Sequence, residues 1–221
     1  MSVEDSALTN NREREPAVNL LLYYLFKYSL VSPFLNFYFR GRVYGRENVP
    51  KQGPLVIVSN HASYFDPPLL SCVMGRPVAF MAKEELFEVP LLKQGIKLYG
   101  AYPVKRSAAD RSAIRAAVAA LNEGWAAGIF LQGSRTPDGR ITKPKLGAAT
   151  IATKANAPIL PVSLWGTQNI LKSGSSFPKP VPITVRIGEV IPPPNVLKKE
   201  ALQTLTQKCT ETINEMHSLG R

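Results

Sequence analysis

The sequence predicts an α/β fold: a mostly parallel central sheet flanked by helices, with an N-terminal membrane-associating helical pair ahead of it. Three observations predict this. Short apolar runs such as Leu55-Val56-Ile57-Val58 have the length and β-branched composition of buried strands. They alternate with longer stretches whose apolar residues recur at helical spacing, the order that builds parallel sheets. The 221 residues, 45% of them hydrophobic, suffice for one main core and exclude a wholly disordered chain.

Residues 1–16 are polar and charged and read as a mobile arm. Residues 17–42 read as a hydrophobic helical anchor. The run AVNLLLYYLFKYSLVSPFLNFYF holds one charge, Lys27, and Ser32-Pro33 divides it into two short helices, because proline disfavours helix at the residue before it. Such a pair packs as core helices or lies at a bilayer interface. In the second case Tyr23, Tyr24, Tyr28 and Tyr38 sit at the water boundary, and Arg40, Arg42 and Arg46 meet anionic headgroups. No uncharged apolar run reaches the roughly 20 residues of a conventional transmembrane helix, so a conventional span is not expected.

Residues 43–221 form the main domain. Strands are expected at Leu55–Val58, Pro77–Met81, Tyr102–Val104, Gly128–Leu131, Ile159–Leu164 and Ile183–Ile187. Helices are expected over Ser107–Asn122, Leu146–Asn156 and Leu197–Leu219. The first has Ser107 as N-cap with Asp110 three residues on, and Gly124 ends it. Trp125 and Trp165 read as core or interface aromatics, and His217, beside Glu215, reads as a surface residue.

The charge narrows the partner. Lys and Arg number 27 against 16 Asp and Glu, a formal net of +11. The first 15 residues are net acidic, so the excess lies in the rest of the chain and suits an anionic partner. A nucleic acid is not expected, because no binding motif and no aromatic residues interleaved with basic ones are present. Cys72 and Cys209 are far apart and make neither a metal spacing nor a disulfide framework. No glycine-rich phosphate loop, nucleophile elbow or secretory signal is visible.

Three segments at expected strand ends hold the unusual residues, where open α/β sheets build their sites. In Ser59-Asn60-His61-Ala62-Ser63-Tyr64-Phe65-Asp66-Pro67-Pro68, Asp66 lies five residues after His61, about 140° away on one continuous helix. They meet only if the chain turns between them. The pair then reads as a base and its orienting carboxylate. The same spacing also reads as a loop histidine and a helix-capping aspartate, since proline suits a first helical turn. Gly100–Arg106 ends in Lys105 and Arg106, suited to an anion or to a solvated basic loop. In Phe130-Leu131-Gln132-Gly133-Ser134-Arg135-Thr136, Gly133 permits close backbone approach and Arg135 offers a planar fork of donors for phosphate. The bland reading is a glycine turn with a basic surface, continued by Arg140, Lys143 and Lys145.

These blocks have a familiar order. NHASYFD resembles the N-H-x4-D motif of the 1-acylglycerol-3-phosphate acyltransferase family of glycerolipid acyltransferases. GAYPVKR is similar to that family's G-x-x-F-I-x-R block, FLQGSRT to its F-P-E-G-T-R block, and Ala157–Val162 to its fourth, proline-centred block. The resemblance implies transfer of a fatty acyl chain from a thioester, acyl-ACP or acyl-CoA, to the sn-2 hydroxyl of 1-acyl-sn-glycerol 3-phosphate, giving phosphatidic acid. It implies His61 as general base oriented by Asp66, and Lys105, Arg106, Gln132, Gly133, Ser134 and Arg135 as substrate-binding residues. The Gly133 loop is a candidate donor to the oxyanion. No metal or cofactor is implied. The expected partners are the lysophospholipid acceptor, the thioester donor and the membrane surface, at the cytoplasmic face. Alternatives within the same resemblance are another lysophospholipid or glycerol 3-phosphate as acceptor, or a non-catalytic lipid-binding relative. One departure stands out: the family's glutamate is Gln132 here. Its amide keeps an acceptor but loses the charge, which argues against a base at that position and leaves substrate binding or holding of the loop.

Overall fold

The computed structural model describes residues 21, 24–25, 27–83, 102–104, 111–171 and 177–221. The arm over residues 1–16, the N-cap at Ser107 and the cations Lys105 and Arg106 lie outside the described residues. The strands are β1 (Arg42–Tyr44), β2 (Leu55–Ser59), β3 (Val78–Lys83), β4 (Tyr102–Val104), β5 (Ala126–Phe130), β6 (Ile159–Trp165) and β7 (Thr184–Ile187). The helices are α1 (Asp66–Met74), α2 (Arg111–Asn122), α3 (Gly147–Lys154) and α4 (Lys199–Ser218). The strands form one seven-stranded sheet in the order β1-β7-β6-β2-β5-β3-β4. The run from β6 to β4 is parallel, β7 is antiparallel to β6, and β1 is parallel to β7.

The alternation of side chains along β2 explains the layering. Val56 and Val58 pack with α2, α3 and α4 on one face, whereas Leu55 and Ile57 pack with α1 and the N-terminal helical turns on the other. Every residue of β2 is buried, as a central parallel strand requires. In α2 the face toward the sheet is Ala113, Ala117, Ala120 and Leu121, small enough for close approach. Gly124, at φ +84°, ends the helix: its N–H reaches Leu121 O and that of Trp125 reaches Ala120 O, turning the chain into β5. Trp125 is buried in the core. Strand β5 starts two residues before the expected position because Ala126 and Ala127, poor strand formers, are paired on both sides by burial rather than propensity. Strand β1 was not among the expected strands: Arg42-Val43-Tyr44 holds no apolar run.

Two helical segments flank Ser32-Pro33 as expected, but both are π-helical: Lys27–Val31 and Phe34–Tyr38. Ser32 and Pro33 join them in helical conformation rather than opening the chain. Proline lacks an N–H and crowds the carbonyl four residues earlier, and wider turns relieve that crowding. Val31, Leu35 and Phe39 face the core, and Phe39 packs edge-on against Phe65 of the loop before α1. Leu21, Leu25, Tyr28 and Phe37 are exposed. Lys27, the one charge of the segment, is buried, with its ammonium 5.8 Å and 5.4 Å from the ring centres of Tyr24 and Tyr28. Burial pushes its pKa down, and Arg46 adds to that. No described helix is long and apolar enough to cross a membrane.

His217 corrects the expectation of a surface residue. It is buried and continues the stripe Leu202, Leu205, Cys209, Ile213 along the inner face of α4, four residues beyond Ile213. Glu215 lies on the other side of the helix axis, so its proximity in sequence misled. Burial is the main reason that the pKa of His217 falls below its ordinary 6.5, with Arg140 contributing next.

Candidate functional site

Parallel pairing places two of the three singled-out segments side by side. In the β2–β5 register Ser59 lies opposite Phe130, so both strands release their chains at the same end of the sheet. The loops are tied further on, where Leu131 N donates to Ser59 O at 3.0 Å and Thr136 N to His61 O at 2.8 Å.

The segment between His61 and Asp66 is a tight turn, which removes the 140° obstacle of a continuous helix. Asp66 N donates to Ser63 O, and Phe65 N to the Ser63 hydroxyl. Asp66 opens α1 and is fully buried. Its carboxylate does not cap that helix. Pro67 and Pro68 have no N–H to offer, and the side chain turns back instead. Oδ2 accepts from Ala62 N at 2.7 Å, from Ser63 N at 2.8 Å and from His61 Nδ1 at 2.7 Å. Two backbone N–H groups already point at this oxygen, so it acts as an acceptor and Nδ1 carries a proton. In a neutral imidazole the lone pair is then on Nε2. The negative group also sits at the N-terminal end of α1, where the helix dipole favours it.

The histidine ring is held from a second direction. Phe130 stacks on it with centroids 3.9 Å apart and planes 15° apart, and Phe80 lies beneath Phe130 at 5.9 Å and 19°. This column explains Gly128: a Cβ there would come within 2.3 Å of the Phe80 ring. Asn60 braces the backbone beside His61. Buried, it donates from Nδ2 to Gly139 O and Leu164 O and accepts from Leu164 N, each at 2.8 Å, joining the end of β2 to β6 and to the loop after β5. Sequence reading quoted Asn60, Tyr64 and Phe130 inside motifs but gave them no role. The usable signal was a polar residue ending an all-apolar strand and an aromatic ending its neighbour.

Gln132 faces its own loop. Its Oε1 accepts from Thr142 N at 2.9 Å and Lys143 N at 3.1 Å, contacts that hold the loop. Gly133 has φ +72°, a left-handed conformation that favours glycine, and a Cβ there would lie 3.2 Å from Lys145 Nζ. The N–H of Gly133 closes the turn on Phe130 O at 2.9 Å, so it is not available to an oxyanion. Ser134 and Arg135 are exposed. The Arg135 guanidinium lies 3.5 Å over the Tyr64 ring centre and donates from Nη2 to the Tyr64 hydroxyl at 2.8 Å. Arg135 and Lys145 thus supply positive charge near the His61 loop. A cavity of about 410 Å³ between residues 140–144 and α4 is lined by none of His61, Asp66, Arg135 and Lys145.

Comparison with known proteins gives concordant results. The pattern of the Acyltransferase family matches residues 40–165. A chloroplastic 1-acyl-sn-glycerol-3-phosphate acyltransferase of Brassica napus is 32% identical over 142 residues, 62% of this chain, and the chain spans 41% of that relative's length. The 1-acyl-sn-glycerol-3-phosphate acyltransferase of Bacillus subtilis is 30% identical over 181 residues, covering 80% of this chain and 88% of the relative. Among solved structures, the 1-acyl-sn-glycerophosphate acyltransferase PlsC of Thermotoga maritima superposes with a TM-score of 0.68 at 27% identity, covering 90% of this chain and 87% of that one.

Proposed function

Because the chain belongs to the acyltransferase family that includes the 1-acyl-sn-glycerol-3-phosphate acyltransferases, we propose that it transfers a fatty acyl chain from acyl-ACP or acyl-CoA to the sn-2 hydroxyl of 1-acyl-sn-glycerol 3-phosphate, giving phosphatidic acid. The observation that carries this reading is the 2.7 Å contact of His61 Nδ1 with buried Asp66, which leaves Nε2 as the basic nitrogen. His61 Nε2 takes the proton of the acceptor hydroxyl as its oxygen bonds to the thioester carbonyl carbon. The tetrahedral intermediate collapses, the carbon–sulfur bond breaks, and the proton on Nε2 passes to the departing thiolate. Asp66 keeps the tautomer and stabilises the imidazolium between the two transfers. No acyl-enzyme is required. Burial pushes the Cys209 thiol up to about 12, which fits a packing role rather than a nucleophile.

Arg135 and Lys145 would bind the phosphate of the acceptor, and Lys105 and Arg106, which lie outside the described residues, are further candidates by sequence alone. Gln132 shapes this anion site by holding the loop, and its neutral amide adds no repulsion. The exposed Leu21, Leu25, Tyr28 and Phe37 support insertion of the N-terminal helices into the interface of a membrane, at the cytoplasmic face, where the amphiphilic acceptor resides. Replacing Leu25 and Phe37 by Glu, which spares the inward Val31, Leu35 and Phe39, should lower liposome co-sedimentation; undiminished binding refutes the anchor.

The test of the activity is a panel of acceptors and thioester donors with purified protein in detergent, read by lipid mass spectrometry beside His61→Ala. The wild type should form phosphatidic acid, and the variant should fold and form none. Near-normal turnover by His61→Ala would overturn the mechanism.

A further inference from the structure

We propose that Tyr64 is a positioning residue that holds Arg135 as a preformed receptor for the acceptor's phosphate, and so sets affinity for phosphorylated over uncharged acceptors. The proposal deepens the reading above and rests on it. Of the residues between His61 and Asp66, Ala62 and Ser63 give their backbone N–H groups to Asp66, and Phe65 packs inward against Phe39. Tyr64 is turned outward and is 66% exposed, so its ring does not serve the core. Yet it makes two contacts with one partner: the guanidinium of Arg135 lies 3.5 Å over the ring centre, and Nη2 donates to the hydroxyl at 2.8 Å.

An exposed arginine on a loop samples many rotamers, and ordering it when a ligand arrives weakens binding. A stacked platform orders it beforehand and occupies one N–H, leaving the rest of the fork for phosphate oxygens. The platform also rides on the turn that carries the base. Tyr64 lies three residues after His61, so the phosphate grip and the proton acceptor are spaced by a single tight turn. An acceptor whose phosphate is held at Arg135 presents its hydroxyl at a distance that this turn dictates.

The test is a double-mutant cycle in the full chain. Acyl transfer to lysophosphatidic acid and to monoacylglycerol is measured in mixed micelles for wild type, Tyr64→Phe, Tyr64→Leu, Arg135→Ala and the Tyr64→Leu/Arg135→Ala double variant. Loss of an exposed cation–π pair with its hydrogen bond should raise KM for lysophosphatidic acid about fivefold in Tyr64→Leu. The kcat, and KM for monoacylglycerol, should stay within about twofold, and Tyr64→Phe, which keeps the stack, should remain close to wild type. In the Arg135→Ala background Tyr64→Leu should add nothing. An equal effect in both backgrounds, an equal effect on both acceptors, or a Tyr64→Phe variant as impaired as Tyr64→Leu would overturn the pairing. The same cycle is run on binding of lysophosphatidic acid micelles by calorimetry. A wild type that binds but turns over no acceptor refutes the acyl-transfer reading, and the binding cycle then still decides the role of Tyr64.

Discussion

Asp66→Asn separates charge from shape at the base. The amide keeps an oxygen that can accept from Ala62 N, Ser63 N and His61 Nδ1, so the turn can persist. What disappears is the negative charge beside the imidazolium that the proposed mechanism forms. Opposite charges about 4 Å apart at an effective dielectric constant of about 20 interact by about 4 kcal/mol. At 1.36 kcal/mol per decade this predicts a fall in kcat of about a thousandfold. The two backbone bonds weaken from charge-assisted to neutral, by about 1 kcal/mol each, lowering Tm by about 4–8 °C in a chain of this size. Acyl transfer is followed as thiol release from the thioester donor, with the folded fraction monitored by circular dichroism under the same conditions. A kcat within tenfold of wild type would refute the role of the carboxylate. So would a loss of activity that merely tracks loss of folded protein.

Three further outcomes are expected. Phe130→Leu removes the ring under His61 and should lower kcat about three- to tenfold with both KM values within about twofold; unchanged kcat would show that the stack does not position the base. Gln132→Glu preserves the acceptor for Thr142 N and Lys143 N and should keep activity within about threefold, whereas Gln132→Ala orphans both donors and should lose more; the opposite ranking would contradict the loop-holding role. His217 is held neutral by burial and by Arg140, opposed by Asp138, with Arg186 adding to the lowering. The unfolded chain binds a proton below 6.5 that the folded chain resists, so stability should fall as pH drops below 6.5. Chemical denaturation across that range should show a shallower slope in His217→Gln, and an unchanged slope would refute the assignment.

The segments that carry the candidate site were readable in the sequence because strand ends in an α/β chain announce themselves: Leu55–Val58 runs straight into Asn60-His61, and Phe130 into Gln132-Gly133. Asn60 was less readable. Its partners Gly139 and Leu164 lie 79 and 104 residues away, and nothing local distinguishes an asparagine that braces two loops from one that caps a turn. The partnership of Tyr64 with Arg135 spans 71 residues and was invisible for the same reason. The apolar stripe of α4 was present in the spacing of Leu205, Cys209 and Ile213, but extending it to His217 required knowing that the loop at Gly139 covers that end of the helix. A Cβ on Gly139 would come within 2.7 Å of the His217 ring.

The amino-acid sequence by itself determined the fold class, the order of most strands and helices, and the residue types available for proton transfer and anion binding. These depend on local periodicity, burial demand and side-chain chemistry, all of which are written along the chain. Tertiary structure alone decided that Asp66 turns back to His61 rather than capping α1, that Gln132 faces its own loop, and that Phe130 and Tyr64 pack against the His61 ring and the Arg135 guanidinium. The first two depend on backbone donors that each loop leaves unpaired, Ala62 and Ser63 for Asp66, and Thr142 and Lys143 for Gln132; the last two depend on β2 and β5 lying side by side, a property of the register between strands and not of any one segment.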